Sequence, residues 1–127
     1  MSCLIGPNCV VDMDKLEKEL DMVEDFIKPN TIKNKLYLSY NAHVILPKHI
    51  DEDEKTDKIG STKCGIRPTY RDKYDRCGTR IEKIPILDNR NRWRVVDPYE
   101  IIRKCVINKE QILFEGAQGF QIDINWG

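Results

Sequence analysis

The sequence predicts an α/β fold: a partial mixed or mostly parallel sheet with flanking helices. Two stretches carry apolar residues at helical spacing, Met13, Leu16, Leu20, Val23 and Ile27 in one and Ile101, Ile102, Cys105 and Val106 in the other. Short aliphatic runs precede and separate them, with turn residues between. Helix and strand signals that alternate across short connections are the pattern of an α/β unit.

The elements follow in order. Residues 3–11 are apolar around a Gly6-Pro7-Asn8 turn, and Val10 and Val11 end a short strand. Asp14 and Glu17 have the spacing of a capping box for the first helix, and Pro29-Asn30 stops it. Residues 35–39 read as a strand. Residues 42–46 read either as a strand or as the start of a helix that holds His43. Residues 51–57 carry five acidic groups and one lysine, which suits a solvated loop or a frayed helix end. Ile84-Pro85-Ile86-Leu87 is interrupted by proline and is an edge strand at best. Residues 88–92 form a polar turn, and Trp93, Val95 and Val96 a short apolar stretch in which Trp93 packs. Asp97 caps the second helix, with Pro98 at its first position and Glu100 three after the cap. Residues 111–114 read as a buried strand, and 115–119 as a small-residue turn. Phe120, Ile122, Ile124 and Trp126 then alternate with polar residues as in a half-buried strand.

Length and charge bound the function. A chain of 127 residues suffices for one compact domain. Lysine plus arginine equals aspartate plus glutamate, at 21 each, so no global field draws the chain to nucleic acid or anionic lipid. No stretch approaches the roughly 20 apolar residues of a membrane span, and the N-terminus lacks the pattern of a signal peptide. Five widely spaced cysteines and two histidines fit neither a disulfide scaffold nor a zinc site. A reducing, cytoplasmic location is the expectation, with no nucleic acid and no membrane as partner.

Two glycine-rich segments stand out. Between Lys63 and Lys83 seven basic residues face three acidic ones, beside Gly60, Ser61, Thr62 and Gly65. Backbone N–H groups in such a turn suit a phosphate, with Thr62 adding a hydroxyl and Lys63, Arg67 or Arg76 a counter-charge. An ordinary charged surface loop is the competing reading. The segment is not a Walker A loop, because Ile66 and Arg67 stand where lysine and serine or threonine belong. In the second segment, residues 114–119, Glu115 and Gln118 share a tight turn after a strand, where open α/β sheets gather ligands. Gln118 reads equally as a ligand-reading amide and as a turn residue satisfying its own backbone. Asp123 reads as a solvated edge residue or a group facing a ligand. His43, among apolar neighbours, is expected to be a hydrogen-bonded structural residue. Tyr70 and Tyr74 are expected to pack or to line a rim.

Ile59-Gly60-Ser61-Thr62-Lys63-Cys64-Gly65-Ile66-Arg67-Pro68-Thr69-Tyr70-Arg71-Asp72-Lys73, followed by Arg76-Cys77-Gly78-Thr79-Arg80, resembles the central signature of the adenylosuccinate synthetase family. Leu113-Phe114-Glu115-Gly116-Ala117-Gln118-Gly119, with Ile122-Asp123-Ile124 and Gly127, resembles its second signature, in the same order. The family makes adenylosuccinate from IMP, aspartate and GTP with magnesium. The resemblance implies that Thr62 binds the IMP phosphate, that Arg76 reaches the same phosphate across a dimer interface, and that Gln118 contacts IMP. It implies no catalytic residue and no metal ligand here, since the family's catalytic aspartate and histidine belong to sequence upstream of the matching region.

Arg67 stands where the family has glycine, Lys63-Cys64 departs from the family pattern, and the interval from Arg80 to Phe114 is short. The resemblance thus implies a single truncated domain over 1–127, related to an internal portion of the synthetase. Alone it is expected to be inactive, with at most residual IMP binding. Mg2+ and GTP are the family's cofactors, and neither is expected to bind fully to this chain alone. The alternative is a non-catalytic dimerisation or interaction module that pairs with itself or with a full-length synthetase.

Overall fold

The computed structural model describes residues 2–27, 32, 35–55, 62–85 and 92–116. It contains five short strands and four α-helices among those residues: β1 (Cys3–Ile5), β2 (Val10–Val11), α1 (Met13–Phe26), β3 (Leu36–Ser39), β4 (His43–Val44), α2 (Pro47–Glu54), α3 (Ile66–Tyr74), β5 (Trp93–Val96) and α4 (Pro98–Ile107). A single 3-10 turn, Ile81–Lys83, separates α3 from β5. The chain is therefore α/β, as its alternating pattern predicts.

Strands β1, β3 and β5 form a parallel sheet in the order β1-β3-β5. Leu38 pairs with Ile5 on one side and Val95 on the other. Parallel neighbours need crossovers, and α1 lies in the connection from β1 to β3 while α2 and α3 lie in that from β3 to β5. A second parallel pair, β2 with β4, forms a separate two-stranded sheet. Alongside it, residues 79–82 run back antiparallel: Val44 N–H donates to Thr79 O, Ile81 N–H to Ala42 O and Glu82 N–H to Tyr40 O, at 2.9, 2.9 and 3.0 Å.

The core lies where these sheets meet α1. Val11, Leu20, Leu36, Leu38, Ala42, Val44, Ile81 and Trp93 are buried together, with Ile5, Met13, Leu16 and Leu46 packed against them. Leu38 is fully enclosed at the centre of the middle strand. Burying such a side chain contributes about 1.5–3 kcal/mol. Arg92 ties α1 to β5 from the edge of this core. Its guanidinium meets Asp21 Oδ1 at 2.8 Å and lies 5.4 Å from the Trp93 ring centre. The expected packing role of Trp93 holds, but Arg92 is buried rather than part of an exposed polar turn.

Several elements differ from expectation. Asp12, not Asp14, caps α1, accepting from Lys15 N–H at 3.0 Å. The helix opens at Met13, so Asp14 falls in its first turn, where a carboxylate favours the positive end of the dipole. Residues 51–54 are the end of a helix, α2, one of the two expected readings, but Asp53 among them is buried rather than solvated. A helix of nine residues, α3, occupies the stretch between Gly65 and Gly78, where a charged loop was the plain expectation. Asp97 caps α4 as expected, through Tyr99 N–H at 2.9 Å, but Val106 is exposed. Residues 111–114 form no strand: Leu113 and Phe114 are exposed and no described strand lies beside them to complete a ladder. The alternating stretch 120–126 lies outside the described residues, as do residues 28–31, 56–61 and 86–91.

Candidate functional site

The basic segment divides around α3. On the side of α3 that faces α2 the charges are consumed by structure. Asp72 Oδ2 accepts from Lys48 Nζ at 2.8 Å and from His49 Nε2 at 3.0 Å, and Asp72 Oδ1 from Arg71 at 2.9 Å. Arg71 also reaches Glu52 on α2 at 3.0 Å. Hydrogen bonds from Lys48, His49 and Arg71 hold the Asp72 carboxyl far below the usual carboxylate range. The tautomer of His49 follows from its partners. Leu46 N–H donates to Nδ1 at 3.0 Å, so Nδ1 is the acceptor and Nε2–H the donor to Asp72. Thr69 Oγ1, 2.9 Å from the same Nδ1, sends its own proton to Gly65 O at 2.7 Å. Threonine, histidine and aspartate thus lie in a chain, but all three are buried, so no substrate reaches them.

Gly65 closes this unit. It is left-handed, with φ of 73°, and its N–H donates to Asp53 Oδ2 at 3.0 Å. A Cβ there would stand 2.9 Å from Ile45 Cγ2 and from Ile50 N. The glycine is explained by helix packing as well as by any ligand. Thr62, three residues before it, is exposed, and its carbonyl accepts from Cys64 Sγ at 3.2 Å. Gly60 and Ser61 lie outside the described residues.

At the C-terminal side of α3 the charges are left open. A cleft of about 530 Å3 is lined by His43, Lys73, Arg76, Gly78, Arg80 and Lys83. Strand β4 supplies His43, α3 supplies Lys73, and the strand-like return 79–82 bridges antiparallel from Arg80 to His43. Lys73 Nζ donates to Asn8 Oδ1 at 3.1 Å, and the Tyr70 hydroxyl to Asn8 O at 2.8 Å, pinning α3 to the turn before β2. Tyr70 therefore packs as expected, and Tyr74 is exposed. Gly78 admits the His43 ring: a Cβ there would lie 2.7 Å from His43 Cδ2.

Two residues in this cleft carry unspent interactions. Arg76 is exposed, and its φ of 59° is that of the residue that closes the end of α3: its N–H donates to Lys73 O at 3.1 Å and Cys77 N–H to Asp72 O at 2.9 Å. His43 is buried, and its Nδ1 lacks a hydrogen-bond partner of good geometry among the described residues. It is not the satisfied structural histidine expected from its apolar surroundings. Burial first, then the charges of Lys73 and Arg80, push its pKa below the ordinary histidine value, and the Asn41 backbone works weakly the other way. Chain order alone does not flag His43. The pattern that could have done so is the meeting of β4 with residues 78–80, which is tertiary.

Of the three residues singled out from sequence, Thr62 precedes the N-terminal cap of α3 and Arg76 follows its C-terminal cap. A nine-residue helix separates those caps by about 13 Å. Thr62 is absent from the cleft that Arg76 lines. Gln118 lies outside the described residues, as does Asp123. Among the described residues no three histidine, cysteine, aspartate or glutamate side chains are grouped so as to hold a metal ion. No described helix is long and apolar enough to cross a membrane.

Comparison with known proteins agrees on one family. The family model of adenylosuccinate synthetase matches residues 1–94. The adenylosuccinate synthetase of Borrelia turicatae is 31% identical over 170 aligned positions, covering 98% of this chain and 39% of that protein. That of Pseudothermotoga lettingae is 32% identical over 158 positions, covering 97% and 38%. The chain thus spans about two-fifths of these relatives, which carry internal residues that it lacks. The fully ligated adenylosuccinate synthetase of Plasmodium falciparum shares the fold, with a TM-score of 0.77 at 23% identity over 99% of this chain and 39% of that one. The succinoaminodeoxyadenylate synthetase of cyanophage S-2L, solved with dGMP and with dATP as energy donor, has a TM-score of 0.75 at 28% identity, covering 98% and 34%.

Proposed function

Because this chain belongs to the adenylosuccinate synthetase family, we propose that it supplies an IMP-holding half-site of that enzyme type and is inactive alone. The family reaction joins IMP and aspartate at the expense of GTP. In this reading residues 1–127 are a single truncated domain of a cytoplasmic protein. Thr62 donates its hydroxyl to the IMP phosphate, Arg76 neutralises that phosphate, and Gln118 contacts the nucleotide. These groups position and neutralise. None of them abstracts a proton, and GTP and Mg2+ require groups from elsewhere.

The observation that carries the proposal is Arg76. It is an exposed cation without a side-chain partner among the described residues, at the edge of a basic cleft. Its separation from Thr62 along α3 supports assembly from two chains, the Arg76 of one copy reaching the Thr62 turn of another. Calorimetric titration with IMP tests this. Saturable binding below millimolar IMP is expected, weakened at least about tenfold by Arg76→Gln, the scale of a lost charge-assisted pair. A folded sample that shows no saturation overturns it.

One feature favours a second reading, a non-catalytic module that pairs with itself or with a full-length synthetase. Val106, Ile107, Leu113 and Phe114 expose apolar surface along the end of α4 and the segment after it. Light scattering that finds only monomer at high concentration, alone and mixed with a full-length synthetase, removes it.

A further inference from the structure

We infer that Asp53 is the positioning residue of the Thr62 turn: from α2 its carboxylate fixes the Gly65 N–H, and through it the conformation in which residues 62–65 present the Thr62 hydroxyl. The inference rests on the half-site reading for what Thr62 holds, and on the geometry alone for what Asp53 does to the turn.

The turn needs a hold from outside. Lys63 and Gly65, separated by Cys64, are both left-handed, with φ of 53° and 73°. Lys63 has a Cβ, so that conformation is unfavourable for it, and such residues persist where their surroundings fix them. The helix that follows offers no local help. A glutamate at the third helical position commonly reaches back to the N-cap N–H, but Gly65 is the N-cap of α3 and Pro68 stands third. The hold comes from α2 instead. Asp53 Oδ2 accepts from Gly65 N–H at 3.0 Å. The same glycine lies close against the α2 backbone, where a Cβ would stand 2.9 Å from Ile50 N and 3.0 Å from the His49 carbonyl carbon. From α1 the contact is lighter: Lys15 Nζ, on a half-exposed side chain, lies 3.2 Å from Cys64 Sγ.

Stability alone does not account for Asp53. It is 1% exposed, and its second oxygen, Oδ1, is buried without a hydrogen-bond partner among the described residues. A buried carboxylate held by one donor loses more hydration than that bond returns. Asp72, in the same helix pair, takes donors from Lys48, His49 and Arg71. A side-chain cap usually accepts from the second or third helical N–H. Asp53 takes instead the N–H at which the chain enters α3. It therefore governs the turn more than the helix.

The experiment compares Asp53→Leu, which is similar in size and has no acceptor, with Asp53→Asn, which keeps one, in the full 127-residue chain. Amide exchange and shifts by NMR, urea unfolding and IMP titration are read on each. In Asp53→Leu the Gly65 amide is expected to exchange about tenfold faster or more, with the Thr62 and Cys64 amides displaced, while the amides of residues 69–75 keep wild-type protection. Its urea midpoint is expected to fall far less than that of Asp72→Ala, and its IMP affinity to fall about fivefold or more. Asp53→Asn is expected to restore both the Gly65 amide and the IMP affinity. Loosening throughout α3, with a stability loss like that of Asp72→Ala, overturns the inference, since Asp53 is then a structural clamp. So do wild-type Gly65 and Thr62 amides in Asp53→Leu, or full IMP affinity beside displaced amides. If the wild-type chain itself shows no IMP saturation, the half-site reading fails. The amides then decide the positioning role alone: displacement confined to residues 62–65 sustains it, and its absence overturns it.

Discussion

Two sides of α3 draw on the same basic segment and treat it in opposite ways. On the side toward α2, Lys48, His49 and Arg71 converge on Asp72, and Arg71 adds Glu52, so each cation has an acidic or hydrogen-bonded partner. On the side toward the cleft, Lys73 donates to Asn8 and Arg80 faces Glu82, while Arg76 and Lys83 line open space. The lesson is that a local excess of charge is not itself a site. What distinguishes the two sides is whether the fold returns a carboxylate to each cation. One side is a clamp that joins two helices, and the other keeps cations open to an anion.

Substitutions separate these roles. Asp72→Ala should cost the most stability, roughly 3 kcal/mol by urea denaturation, because it leaves the buried His49 Nε2–H without its acceptor and unties α3 from α2, while Lys48 and Arg71, both more than half exposed, return to solvent. Gly65→Ala should cost about 2–3 kcal/mol, combining a left-handed φ with Cβ contacts of 2.9 Å to Ile45 and to the α2 backbone. Gly78→Ala should cost less, about 1–2 kcal/mol, since the nearest atom, 2.7 Å away, belongs to the His43 side chain, and the Lys73 backbone stands farther off at 3.1 Å. Its signature should be a displaced His43 ring signal. Arg76→Gly should stabilise the chain by less than about 1 kcal/mol by relieving the left-handed strain. It should also weaken anion binding, and that pairing of outcomes marks a residue kept for function. If Arg76→Gly destabilises the chain and leaves binding unchanged, the cleft is another structural clamp.

Acidity acts on the two sides over different ranges. The folded pKa of Asp72 is depressed, so its contribution to stability is present above the unfolded value near 4 and is lost as pH falls through the folded value. Asp72→Asn should flatten the acid limb of a stability profile below about pH 4. His43 is also depressed, but it is a base. The unfolded chain then binds the extra proton first, so stability falls as pH drops from about 6.5 toward the folded pKa and levels below it. His43→Gln should remove that slope, and saturating phosphate should reduce it if the cleft binds the anion.

Much of the fold was legible because it rests on local chemistry. The Asp97-Pro98 start of α4, the apolar spacing of α1 and the aliphatic runs of β2 and β3 each reflect short-range patterns of backbone and burial. The misreadings share a cause. Asp12 outcompeted Asp14 as the cap because its carboxylate meets the third helical amide, a two-residue choice that spacing alone left open. Residues 111–114 have the composition of a strand, but composition does not provide a neighbouring edge. The acidic run through Asp53 and the charged run through Asp72 looked solvated, and became helices packed on one another once each acid found a donor across the α2–α3 interface.

By itself, the sequence determined the fold class, the family and the concentration of positive charge between residues 63 and 83, because these depend on residue order and type. Only the tertiary structure decided which charges are spent. Arg71 and Arg76 are alike as side chains and five positions apart, yet one is locked to Asp72 and Glu52 and the other opens on the cleft beside His43. The physical reason is that pairing depends on distance in space. That distance is set by helices and strands far apart in the chain, and the last turn of α3 meets α2 on one side and the cleft on the other.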